Sequence, residues 1–166
     1  GEYLDEESKS VKRISKPNDW SIWDRENKKW KVDNTLMNER KKELKDKLLQ
    51  DLAEAKSNYL NQAISVDKNG KKYTFENNEK NRNRLSLKIS LMWVLEQDKI
   101  EKVKAKNEKG LVEFIELGKT ELKVLSKKIQ DIIQVADIAE QMAVTGLERY
   151  NIEQLLELDV NDFFKN

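Results

Sequence analysis

The sequence contains neither cysteine nor histidine in its 166 residues. This absence excludes disulfides, thiolate chemistry, soft-metal sites and every form of catalysis that depends on an imidazole. An enzyme would have to work with carboxylates, Lys, Tyr, Ser or Thr alone. We therefore predict that the chain is not an enzyme, with no catalytic residues, no metal site and no cofactor.

Proline, glycine and long apolar runs are scarce as well. One Pro, five Gly and a charged content of 38% favour long solvated helices with few turns, since an average domain has ~25% charged residues. No run approaches the ~20 apolar residues of a membrane helix, and no signal-type segment occurs, so we expect a soluble protein with no membrane partner. The chain begins with Gly1 rather than Met, which indicates a trimmed N-terminus or a tag remnant.

Charge is balanced overall but unevenly distributed. The net charge is +1, yet residues 68–128 carry 16 basic against 9 acidic residues, and residues 129–166 carry 2 basic against 8 acidic ones. We expect the two segments to neutralise each other, within one fold or between subunits, rather than to attract a charged ligand.

Three of the four tryptophans lie within eleven residues, at Trp20, Trp23 and Trp30. Trp23 and Trp30 flank a polar stretch, which predicts a β-hairpin stabilised by cross-strand aromatic contacts. We expect a β-rich N-terminal lobe over residues 1–34. The indoles form either the core of this lobe or a docking surface for a protein partner, with Trp20 the most exposed of the three.

Apolar spacing in the remaining chain predicts a mainly α protein, with a helical domain over residues 35–166. Helices are expected at about 36–64, 78–98, 119–145 and 151–158, with Gly146 ending the third. The first helix has its apolar stripe at Leu44, Leu48, Leu52, Ala55, Tyr59 and Ala63. The third has one at Leu122, Leu125, Ile129, Ile132, Ala136 and Ala139, which is either the core of this chain or a seam between subunits.

One or two short β-hairpins interrupt these helices. Asn69-Gly70 predicts a tight turn, and Tyr73 and Phe75 then alternate onto one face. Residues 100–117 contain two alternating apolar runs around Asn107–Gly110, which predict a second hairpin with a continued helix as the alternative.

Basic residues at the start of the second helix form the other candidate site, Lys80, Arg82, Arg84 and Lys88. With Lys102, Lys104, Lys106 and Lys109 they could contact the phosphates of RNA or an acidic protein, although a solvated or internally paired face is the default.

Asp67–Gly70 does not fit a calcium loop, because Lys71 stands where a ligand is needed. Glu153 and Glu157 lie one helical turn apart, a spacing too common to indicate catalysis.

Two segments carry a resemblance to known proteins. Trp23-Asp24 through Lys29-Trp30, the pattern W-D-x4-K-W, is similar to a linker found in many tailed-bacteriophage tail and tail-fibre proteins. From the first helix onward the chain resembles a domain of unknown function common in such phage and prophage proteins, through Asn69–Phe75, Arg82, Leu85 and Leu117–Leu122. The resemblance covers residues 20–150. Lys106 departs from the family, which often has a Trp and an Asp-Asn pair in this β segment.

The resemblance implies a non-catalytic phage or prophage tail protein, tail-fibre-like or accessory, that acts through protein–protein contacts. It implies a location in the virion or the host cytoplasm and allows a homotrimer. The alternative is a phage-encoded inhibitor of a host defence nuclease, of the anti-CRISPR type, that binds the effector protein or its guide RNA. A weaker third hypothesis is an enzyme acting on cell-wall glycans.

Overall fold

The computed structural model describes residues 1–96 and 101–165. In chain order the strands are β1 Glu2–Asp5, β2 Ser10–Arg13, β3 Ser21–Asp24, β4 Lys29–Val32, β5 Ile64–Lys68, β6 Lys71–Phe75, β7 Glu101–Lys106 and β8 Val112–Leu117. The helices are α1 Asn34–Leu60, α2 Glu79–Val94, α3 Lys119–Arg149 and α4 Ile152–Glu157, followed by a 3₁₀ helix, Val160–Phe164.

The chain divides into two compact units. The first comprises Gly1–Asp51 and Val144–Asp159, and the second comprises Leu52–Ala143 and Val160–Asn166. The predicted domain boundary at residue 34 stays a prediction.

Two antiparallel hairpins form the start of the first unit. β1 pairs with β2, and β3 pairs with β4 so that Trp23 lies opposite Trp30. After β4, the carboxylate of Asp33 accepts hydrogen bonds from the amides of Thr35 and Leu36, at 2.9 and 3.1 Å, and so caps the start of α1.

A four-stranded antiparallel sheet in the order β5-β6-β7-β8 belongs to the second unit, together with α2 and with α3 as far as Ala143. Its buried residues alternate along each strand, as in Ile64 and Val66 on β5 and Tyr73 and Phe75 on β6. They belong to one apolar core with Leu85 and Met92 of α2 and with Leu122, Leu125 and Ile129 of α3.

The mainly α fold class is wrong. Helices hold 53% of the described residues and strands 23%, and the two internal hairpins join into one sheet. The join is a pairing of β6 with β7 at Thr74 and Lys106, which are separated by the whole of α2. Because each hairpin is encoded locally but their pairing is not, the sequence pattern predicted isolated hairpins. The hairpin over 100–117 is confirmed for its described residues, and residue 100 lies outside them.

Three helix bounds also differ from the prediction. The first helix ends at Leu60 rather than residue 64, since Ile64 begins β5 and Ala63 is exposed between them. The third continues past Gly146 to Arg149, with the Tyr150 ring packed against Gly146 and Leu147 buried in its last turn. The second begins after the cap residue Asn78, and its predicted end at 98 lies outside the described residues.

The apolar stripe of α3 is buried within this chain. Five of its six residues, Leu122, Leu125, Ile129, Ala136 and Ala139, are at most 6% exposed, and Ile132 is partly buried against the core. The single chain therefore uses this stripe as core, and a subunit seam would have to lie elsewhere.

Candidate functional site

The turn of the β3–β4 hairpin is organised by Asp24. Its carboxylate accepts hydrogen bonds from the backbone amides of Glu26 and Asn27, both at 3.1 Å, and from the Asn27 side chain at 2.9 Å. These bonds, above all that from the Asn27 side chain, hold the pKa of Asp24 below its usual value. Lys28 closes the turn in the left-handed region, with φ of 52°.

The indoles of Trp23 and Trp30 pack edge to face across the strands, with ring centroids 5.4 Å apart. The Tyr3 ring stacks on Trp23 at 6.4 Å, and the Trp30 Nε1 donates to the Ile14 carbonyl at 3.0 Å. Both contacts tie the β1–β2 segment to the β3–β4 hairpin. We call this set, residues 1–33, the aromatic hairpins.

Trp20 has a different place from the one the sequence suggested. It is 8% exposed, whereas Trp23 and Trp30 are half-buried, and its carbonyl accepts a hydrogen bond from the Asp33 amide at 2.9 Å. The prediction that Trp20 is the most exposed of the three is wrong, because its position just before β3 buries it. All three indoles thus serve in part to hold the fold.

Arg82 is a structural residue rather than a free cation. Its Nη1 donates to the Leu60 carbonyl at 2.9 Å, to the Asn61 side chain at 3.2 Å and to the Asn77 carbonyl. The buried Asn77 side chain donates to the same Leu60 carbonyl at 2.8 Å. Together these donors satisfy the last carbonyl of α1 and fix it to the start of α2.

Lys80 lies apart from Arg84 and Lys88. It lines an open depression of about 900 Å³ that also contains Lys56, Asp137 and Glu140. The Lys56 ammonium bridges Asp137 at 2.8 Å and Glu140 at 2.5 Å, and these bonds raise the pKa of Lys56. The charges in this depression are mixed and largely paired, so it has little affinity for an anion.

Arg84 and Lys88 belong instead to a smaller cleft of about 320 Å³. It opens between α2 and β7, and Lys102 and Lys104 of β7 supply two further cations. Phe114 of β8, which lies opposite Lys104 in the strand register, contributes an exposed aromatic ring. We call this feature the basic cleft.

The sequence indicated part of the basic cleft and missed the rest. Lys106 and Lys109, expected in the same face, do not line the cleft: Lys106 pairs with Glu76, and Lys109 occupies the β7–β8 turn. Phe114 was missed because its place beside Lys104 depends on the exact strand register. Lys104 lies three residues before Asn107 and Phe114 three residues after Leu111, and this equal spacing from the turn was the available signal.

An apolar strip runs along the outer surface of α2. Leu87, Leu91 and Val94 occupy positions i, i+4 and i+7 and are 62%, 50% and 78% exposed. No motif in the sequence distinguishes these three residues. We call these three residues the α2 strip.

No group of three or more acidic side chains that could hold a metal occurs in residues 1–96 and 101–165. Glu153 and Glu157 lie exposed on α4. Within the same ranges, no helix has the length and apolar character needed to cross a membrane. No protein-family model matches the chain, and neither a curated protein nor a solved structure does.

Proposed function

We propose that this chain is a non-catalytic bacteriophage or prophage tail protein, tail-fibre-like or accessory, that acts through contacts with other proteins. The observation that carries the proposal is the α2 strip. Three apolar side chains on one helical face, each at least half exposed, are typical of a surface that a protein partner covers.

The assignment to a phage tail is supported by the resemblance, whose residues have structural places in this chain. Asp24 forms a turn, Trp23 and Trp30 pair across it, and Asn69 and Gly70 turn between β5 and β6 with positive φ. Tyr73 and Phe75 lie in the core, and Arg82 caps α1.

Glu121, within the last motif, Leu117–Leu122, has a structural place as well. It accepts from the Gly118 amide at 3.0 Å and pairs with Lys68 at 2.8 Å. Lys68, followed by the Gly118 amide, lowers the pKa of Glu121. These motif residues build turns, caps and core, so they account for the fold, and the tail assignment rests on the resemblance itself.

Particle composition tests the proposal. We expect the tagged chain to copurify with density-gradient particles from an induced lysogen, at a fixed ratio to the tail proteins, when both are quantified by mass spectrometry. A Leu87→Ser/Leu91→Ser variant should be depleted at least tenfold, because it removes apolar contact area without touching the core.

Val124→Ser is the matched control, since Val124 is 52% exposed on a different helix, α3. Absence of the wild-type chain from particles would overturn the tail assignment. Normal incorporation of the double variant would show that the α2 strip is not the contact.

The trimer and the nuclease inhibitor stay predictions. A trimer would need a seam other than the α3 stripe, and light scattering on the purified chain measures its mass directly. A monomer whose binding to a nuclease weakens steeply with salt would favour the inhibitor.

A further inference from the structure

The basic cleft concentrates positive charge in a small volume. No salt bridge joins Arg84, Lys102 or Lys104 to a residue in the described part of the chain, although Lys106 and, after it, the charge of Lys104 lower the pKa of Glu76. The Lys88 Nζ donates to the Lys102 carbonyl at 3.4 Å. Glu116, opposite Lys102 on β8, offsets part of this charge. A net excess of cations remains around the cleft.

Phe114 places a ring face beside these cations. It is 67% exposed, and its cross-strand neighbour is Lys104. An exposed ring next to cations that can reach phosphates is the combination with which proteins hold single-stranded nucleic acid. Stacking on the ring tolerates any base, and the cations follow the backbone.

The floor of the cleft favours single-stranded nucleic acid over an acidic peptide as the ligand. Phe75, Leu85 and Val103 line the floor but are only 3%, 4% and 6% exposed, so little apolar depth is left for an anchoring side chain. The other lining side chains are the four cations, the Phe114 ring and Asn81, whose amide donates to the Glu76 carbonyl at 2.8 Å. A volume of about 320 Å³ accommodates a base with its phosphate and is too small for a duplex.

We propose that the basic cleft binds a short stretch of single-stranded nucleic acid, with its phosphates on Arg84, Lys102 and Lys104 and one base stacked on Phe114. This activity does not depend on the tail assignment. It would operate in a tail protein or in an inhibitor that contacts guide RNA.

Fluorescence anisotropy with a labelled ten-residue oligouridylate tests the proposal. We expect binding at low salt, with a slope of log affinity against log salt of roughly −2 for the three phosphate contacts. Arg84→Glu/Lys104→Glu should weaken binding at least tenfold. Lys42→Glu/Lys47→Glu, which reverses the same charge at exposed positions of α1, should change it less than threefold.

Phe114→Leu separates stacking from charge. The variant keeps an apolar side chain at an exposed position, so the fold should persist, while affinity for oligouridylate should fall fivefold or more. Affinity for inorganic polyphosphate of equal charge should be unchanged. An equal loss for both ligands, or no loss for either, overturns the stacked base.

Three other results overturn the proposal. One is no measurable binding of oligouridylate at low salt, and another is equal weakening by the cleft and control double variants. The third is tighter binding of a ten-residue polyglutamate than of oligouridylate, which would identify an acidic protein segment as the occupant.

Discussion

The aromatic hairpins and the four-stranded sheet are both antiparallel, but they are stabilised by different means. In the hairpins, strand β2 is exposed throughout, and the rings of Tyr3, Trp23 and Trp30 pack on one another. In the sheet, one face is buried against α2 and α3. A two-stranded ribbon alone is marginal in water, whereas burial against helices makes a sheet cooperative.

The largest effect is expected from a cavity in the sheet unit. Leu125→Ala removes a side chain that is 1% exposed and should lower the free energy of unfolding by about 2–5 kcal/mol. Val124→Ala, at the neighbouring position with 52% exposure, should change it by about 0.5 kcal/mol or less. Urea titrations of both variants make the measurement, and similar losses would mean that α3 does not face the core as described.

The second largest loss in the free energy of unfolding is expected when the Arg82 guanidinium is removed. Arg82→Ala leaves the Leu60 carbonyl with fewer donors, and we expect a loss of about 1.5–3 kcal/mol. Arg84→Ala, two positions on and exposed, should cost almost nothing. A stability of Arg82→Ala equal to that of Arg84→Ala would contradict the structural place given to Arg82.

A smaller effect should remain confined to the hairpins. Trp30→Leu removes the edge-to-face partner of Trp23, a contact that contributes about 0.5–1.5 kcal/mol beyond its area. Near-UV circular dichroism should lose the signal of the coupled indoles, while the urea midpoint of the sheet unit stays the same. Val32→Ala, exposed on the same strand, is the control, and a shift in the sheet midpoint would show that the two regions are not separable.

The smallest effect is expected at low pH, where the aromatic hairpins should lose part of their stability. Hydrogen bonding to Lys12, and then to Ser8, lowers the pKa of Asp5 from 3.8 to about 2, and bonds from Asn27 lower that of Asp24. A carboxylate whose pKa is lower in the folded state stabilises it above the unfolded pKa, and this contribution disappears as pH falls from about 4 towards 2.

Indole NH resonances should therefore shift over that pH range in the wild type. The Asp24 component should be missing from Asp24→Asn. Identical titrations of the two proteins would rule out the turn network as the cause.

Local features of the fold were predictable and the long-range ones were not. The Trp23–Trp30 hairpin and the Asn69-Gly70 turn each depend on residues a few positions apart. The β6–β7 pairing joins two strands that α2 separates in the chain. The separation of Lys80 from Arg84 depends on tertiary contacts as well. Hydrophobic periodicity encodes neither. Trp20 shows a third case, since composition gives no means to decide which of three neighbouring indoles is buried.

The candidate surfaces divide in the same way. Arg84 and Lys88 were predicted because they belong to a group of basic residues at the start of a predicted helix, whereas Phe114 and Lys104 meet only through the register of β7 and β8. The charge and sequence position of Arg82 are those of an anion-binding residue, but its contacts are those of a residue that caps a helix. Only the position of the Leu60 carbonyl distinguishes the two roles.

Native-state amide hydrogen exchange tests most directly whether the hairpins and the sheet are two differently stabilised regions. We predict that amides of Ile64–Lys68, Lys71–Phe75 and the first turns of α3 exchange slowest and with one common free energy of opening. Amides of Ser21–Asp24 and Lys29–Val32 should open with a free energy lower by a few kcal/mol. A single free energy shared by hairpins and sheet would contradict the account.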